Sequence, residues 1–204
     1  MENSKSSVST EQSIKEAAKR VFLKKGFAGT KTRDISEESG ENLALINYYF
    51  RSKKNLFQIV MKEIFIEFLE SSIPVFNDTN TSIQQKLESF VDRHLNLCLK
   101  QPDMPLFVVN EINGNLDCIA DPEEQKNERV ENTVFHQQLT SEYPETNPEH
   151  VLLNTIGMTV YPFLGRAMMC GMQGADDAKF LAFIEERRKM IPIWIMRMLN
   201  GTSD

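Results

Sequence analysis

Apolar residues in this chain recur at three- and four-residue spacing, and nowhere in a sustained two-residue alternation. That period is the signature of helices with one buried face, so the pattern predicts an all-α protein. Ile14, Ala17, Ala18, Val21 and Phe22 set the first helix, with Ser9 or Thr10 as its cap and Gly26 as its stop. Thr30 or Thr32 starts a short second helix around Ile35, which ends at Ser39-Gly40. Asn42 caps a third helix carrying Leu45, Ile46, Tyr49 and Phe50. Ser52 caps a long fourth helix through Leu56, Val60 and Ile64, with Pro74 expected beyond its end. Five more helices follow, at about 82–100, 102–113, 121–141, 148–171 and 176–199. The expected organisation is an N-terminal three-helix unit over residues 1–52 and a larger helical body over residues 53–204, about nine helices in all.

Composition narrows the class. At 204 residues and 41% hydrophobic, the chain can bury a sizeable core, which excludes disordered, collagen-like and disulfide-stapled classes. Cys98, Cys118 and Cys170 are an odd number with no C-x-x-C pair, so a reducing, cytoplasmic setting is expected and a zinc finger is not. The polar N-terminus reads as carrying no secretory signal. Between His150 and Asp176 the only charge is Arg166, but Asn154, Pro162, Gln173 and four glycines interrupt the stretch. A helix covered by protein is the expected reading, not a membrane span. Pro162 should kink that helix or free a carbonyl.

The net charge of −6 conceals an asymmetry. Residues 1–55 carry 11 Lys+Arg against 7 Asp+Glu, whereas residues 56–204 carry 12 against 22. An acidic protein with a basic quarter can still engage a polyanion through that quarter.

The second and third helices, joined by a turn at Gly40, have helix-turn-helix spacing. The second member of such a pair enters the DNA major groove. Its residues suit base edges: Ala44 permits close approach, Asn47 offers donor and acceptor, and Leu43 and Leu45 suit thymine methyls. Tyr48 reaches a phosphate or a methyl, and Asn42 is a cap first and a DNA contact second. Thr30, Lys31, Thr32, Arg33 and Lys53 stand at helix starts, where amides and cations hold phosphates.

Residues 10–57 resemble the N-terminal domain of the TetR family, the tetracycline-repressor-like bacterial transcription regulators. The matching positions are Ala17-Ala18, Phe22, Gly26-Phe27, Thr30, Arg33-Asp34-Ile35, Gly40, Ile46, Tyr49-Phe50, Ser52-Lys53 and Leu56-Phe57. Two positions depart from the usual pattern: Glu41 replaces an apolar residue after the turn glycine, and Asn47 stands where many members have Tyr. The resemblance implies a homodimer formed through the last two helices and double-stranded operator DNA as partner. It also implies an unidentified small-molecule effector bound among the middle helices, with neither cofactor nor metal.

Candidates for the effector site are polar groups on apolar faces and aromatic lining: Phe65, His94, Cys98, Phe107, Asn110, His136 and Tyr161. His94 and His136 are not at metal-ligand spacing. The chain has no Gly-rich phosphate loop, G-x-S-x-G or H-E-x-x-H. The expectation is therefore a ligand-released transcriptional repressor, not an enzyme. A helical adaptor or an enzyme without a DNA-binding role is the rival reading.

Overall fold

The computed structural model describes residues 2–114, 130–166, 168 and 177–201. Among these residues there is no strand. The α-helices described are α1 (Glu2–Gly29), α2 (Thr32–Ser39), α3 (Leu43–Phe50), α4 (Lys53–Asn77), α5 (Ile83–Lys100), α6 (Met104–Gly114), α7 (Val134–Glu142), α8 (Pro148–Leu164) and α9 (Asp177–Asn200). A 3-10 turn, Val130–Asn132, precedes α7. The all-helical expectation holds, with differences at several ends. α1 begins at Glu2, ahead of the Ser9 or Thr10 cap. α4 runs through Pro74 to Asn77. Pro74 is exposed and close to the helix end, so its missing amide leaves little of the hydrogen-bond ladder to interrupt. The helix expected over 121–141 is broken at Thr133, the cap of α7, and its first part lies outside the described residues.

The helices form two compact units. The first extends to Ile66, inside α4, and takes in α6 from Leu106. In this unit α1 packs on α2, and α2 on α3. Ile14, Ala17, Ala18 and Phe22 are fully buried, and Ile35, Ile46 and Phe50 complete the core from α2 and α3. Phe57 is the centre of an aromatic cluster, with Phe22 at 5.1 Å, Phe27 at 4.7 Å and Phe107 at 6.0 Å between centroids. Each buried Phe stabilises the fold by about 1.5–3 kcal/mol.

In the second unit α5, α8 and α9 pack on one another, and α7 covers α5 and α8. Ser82 caps α5 in a box with Gln85, each side chain holding the other's backbone amide. Phe76 stacks on Phe90 at 5.0 Å and on Phe135 at 4.8 Å. Lys86 is buried, yet its ammonium donates to the carbonyls of Asp78 and Thr81 and to the Thr81 hydroxyl. Burial pulls its pKa below the usual lysine value. Pro162 has the predicted consequence. Its missing N–H leaves the Met158 carbonyl without an in-helix donor, and Arg187 of α9 donates to that oxygen at 2.7 and 3.2 Å. No helix of the described residues is long and apolar enough to cross a membrane.

Candidate nucleic-acid interface

The helix-turn-helix is built by local backbone chemistry. Gly40 closes α2 at φ 74, a conformation that costs glycine nothing, and its amide donates to the Ser36 carbonyl at 3.0 Å. The Ser36 hydroxyl donates to the Glu41 carbonyl at 2.5 Å, and the Glu41 amide donates to the Ser39 hydroxyl at 3.2 Å. These bonds hold the turn even though Glu41, where an apolar residue is usual, is half-buried. Asn42 caps α3, its Oδ1 accepting from the Leu45 amide at 2.9 Å. The cap reading of Asn42 is therefore its structural role.

α3 is divided sharply between its faces. Ile46 and Phe50 anchor it in the core, whereas Leu43, Ala44, Asn47 and Tyr48 are exposed and Leu45 is half-buried. Tyr48 is 77% and Leu43 43% exposed, unusual for such large apolar-bodied side chains on an eight-residue helix. Tyr49 is half-buried and meets Tyr48 edge-on at 5.2 Å.

α2 turns its acids toward α1. Arg20 pairs with Glu38 at 2.7 Å and Lys25 with Asp34 at 3.0 Å. The Lys31 amide, and then Lys25, hold the Asp34 carboxyl below the usual range. The carboxylate of Asp34 accepts from that amide at 2.7 Å and so fixes the start of α2. Lys31 and Arg33 are exposed and Thr32 is half-exposed, all three open to a ligand. The Arg33 link to Glu37 at 3.3 Å is a surface pair of little worth.

Two residues assigned to phosphate make bonds within the chain. Thr30 is buried, and its hydroxyl donates to the Gly26 carbonyl at 2.7 Å. Lys53 is half-buried, its ammonium donating to the carbonyls of Phe27 and Thr30, both at 2.8 Å, and lying 4.2 Å from the Phe27 ring centroid. Lys53 thus staples the start of α4 to the α1–α2 corner. Glu111 reinforces that corner: it accepts from the Phe27 amide at 2.9 Å, next to Gly26 at φ 66. Sequence reading missed the Lys53 staple, the Ser36–Glu41 brace and Glu111. No local pattern marks Glu111, because its partner lies 84 residues away.

The effector candidates are divided between the two units. His94 is buried on α5, with Nδ1 2.9 Å from the Phe90 carbonyl and Nε2 3.4 Å from the Ser72 hydroxyl. Burial pulls its pKa to about 4, against an opposing pull from the Phe90 carbonyl. Cys98 is buried one turn on, and burial raises its pKa to about 12. Phe107 belongs to the core of the other unit, and Asn110 is exposed there. His136 is half-buried, and Tyr161 is 59% exposed. The Phe65 side chain lies outside the described residues. No group of three or more His, Cys, Asp or Glu side chains able to hold a metal occurs among the described residues.

The profile of the bacterial regulatory proteins of the tetR family matches residues 14–60, the segment from the α1 core into α4. Residues 14–60 are thus similar to the DNA-binding domain of the TetR family. Two curated relatives match part of the chain. One, the "Probable HTH-type transcriptional regulator YttP" of Bacillus subtilis, is 30% identical over 106 residues, 52% of this chain and 51% of that protein. The HTH-type transcriptional repressor NicS of Pseudomonas putida is 41% identical over 59 residues, 29% of this chain and 28% of that protein. The matches thus span about half or less of each relative. The TetR-like fold extends further than the sequence match. SCO4942 from Streptomyces coelicolor superposes with a TM-score of 0.67 over 93% of this chain and 97% of its own, at 18% identity. A TetR-like transcriptional regulator from Rhodococcus sp. RHA1 does so at 0.63 over 95% and 97%, at 15% identity.

Proposed function

We propose that this protein is a cytoplasmic, sequence-specific DNA-binding transcriptional regulator of the repressor type, with α3 as its reading helix. The observation that carries this reading is the face of α3, where Leu43, Ala44, Asn47 and Tyr48 stand exposed on a helix pinned from behind by Ile46 and Phe50. An exposed leucine and tyrosine lower solubility unless a partner covers them, and a groove of bases and methyls supplies that cover. Asn47 reads a base edge, Tyr48 reaches a phosphate or a methyl, Leu43, Ala44 and Leu45 approach methyls, and Asn42, Lys31, Thr32 and Arg33 touch phosphates. Thr30 and Lys53 support the reading head from within. The repressor sense takes its support from NicS.

The body acts as a dimer surface and effector sensor in this reading. On α8, Leu153, Gly157 and Tyr161 are exposed at four-residue spacing, and on α9 Leu181 and Ile193 are exposed. A second copy covers such a stripe symmetrically. It also places two α3 helices in successive major grooves. A small molecule bound in the body releases the DNA by favouring a different spacing of the two reading helices. The effector is the part supported by family resemblance alone.

The test is binding of the purified protein to the DNA flanking its own coding region, titrated across salt. A saturable, sequence-specific complex that weakens steeply with salt supports the reading. Binding no tighter than to random duplex, in that DNA and in a selection from random genomic fragments, removes it. For the effector mechanism, spin labels on the two α3 helices must change separation when a released complex is formed.

A further inference from the structure

Among the described residues, Arg51 is the one non-glycine with a positive φ, at 60°, with ψ −41°. The Ser52 amide donates to the Phe50 carbonyl at 2.6 Å and closes a three-residue turn around it. A γ-turn of this hand is rare and strained, and a glycine in its centre would avoid the strain. The turn is braced rather than relaxed. Asn55 donates from its side chain to the same Phe50 carbonyl at 3.1 Å, and its amide bonds the Ser52 hydroxyl at 3.1 Å. Such over-determined strain concentrates where a side chain must be aimed.

The side chain so aimed is an exposed guanidinium. Its backbone amide donates to the Asn47 carbonyl at 2.9 Å, which sets Arg51 one turn beyond Asn47 on the reading helix. Among the described residues no carboxylate pairs with it, whereas other cations in this unit are answered. Lys15 meets Glu63, Arg20 meets Glu38, Lys25 meets Asp34, and Lys53 meets two carbonyls. A fixed positive charge with a planar fork of donors matches a phosphodiester better than any other nucleic-acid group.

We propose that Arg51 is a duplex-phosphate contact, aimed by the strained turn at the end of α3. This assignment rests on the DNA-reading function above. A merely structural arginine at a helix C-terminus would act through the helix dipole, and its removal would lower stability.

The test uses the full chain and a random-sequence duplex of about 30 base pairs, followed by fluorescence anisotropy from about 0.05 to 0.3 M salt, where binding is dominated by phosphate contacts. Arg51→Gly should reduce the slope of log K against log salt by about 0.9, which makes binding about eightfold weaker at 0.1 M. Its Tm should be unchanged or higher, by up to about 4 °C as strain is released. Arg51→Lys should keep the slope. An unchanged slope in Arg51→Gly, or a lowered Tm, overturns the assignment while the DNA-reading function stands. If the unsubstituted chain shows no salt-dependent binding, that function and this assignment fall together.

Discussion

Replacing Lys53 by Met separates a staple from a phosphate contact. Met keeps an apolar stem over Phe27 but removes the ammonium that bonds the Phe27 and Thr30 carbonyls at 2.8 Å each. A hydrogen bond from a charged donor is worth about 1.5–3 kcal/mol, and an exposed cation–π contact about 0.5–1 kcal/mol. Because the site is half-buried, water replaces part of each bond. The net cost is then about 2–4 kcal/mol, with no more than ~0.5 kcal/mol expected of a free surface lysine. For a chain of this length that lowers Tm by roughly 4–16 °C. Urea unfolding followed by circular dichroism should give a lower midpoint with an unchanged m-value. The salt slope of DNA binding should stay the same, although affinity falls because the reading head is less firmly held. A Tm within about 1 °C of the unsubstituted protein, combined with a salt slope reduced by about 0.9, would refute this reasoning and return Lys53 to the phosphate-contacting set.

Asn42→Ala should cost about 1 kcal/mol in chemical denaturation by orphaning the Leu45 amide, and Asn42→Ser should recover most of it. Tyr48→Ala should leave stability within about 0.5 kcal/mol, since the ring is 77% exposed, while weakening operator binding in gel-shift titration; unchanged binding would remove Tyr48 from the reading face. His94 has a folded-state pKa of about 4 against 6.5, so the unfolded chain binds more protons between those values. Stability should be fully present above pH 6.5 and fall by roughly 3 kcal/mol as the pH drops toward 4, and urea midpoints for His94→Gln should show a correspondingly flatter pH dependence. Burial and a pKa raised to about 12 should keep Cys98 unlabelled by iodoacetamide at neutral pH until denaturant is added, as read from the mass of its peptide.

What could be read from the sequence was local. Gly40 and Asn42 act within three or four residues of themselves, so their caps were legible from spacing alone. Pro162 was legible for the same reason, because a proline's effect is confined to the carbonyl four residues earlier; the donor that answers it, Arg187, was not. The effector candidates show the opposite limit. A histidine in an apolar stripe reads identically whether its partner is a ligand or its own helix. His94 bonds the Phe90 carbonyl four residues back, and Phe107 joins a phenylalanine cluster in the other unit because α6 is divided between the two. Neither fact has a signature in spacing.

The basic character of the N-terminal quarter needs the same correction. Residues 1–55 carry 11 basic side chains, but charge counted along a chain is not charge presented to a ligand. Lys15, Arg20 and Lys25 are neutralised by carboxylates, and Lys53 is turned inward onto carbonyls, as Lys86 and Arg187 are in the second unit. A basic side chain closing an open carbonyl is thus a recurring structural device in this molecule. The outward cations that flank α3 form a short arc at the start of α2, the end of α3 and the start of α4: Lys31, Arg33, Arg51 and Lys54. The slope of binding against salt counts phosphates neutralised, and so it reads that arc and not the net charge. A reading head with so few outward cations must draw its discrimination from α3 itself, which places the burden of specificity on Asn47, Tyr48 and the leucines beside them.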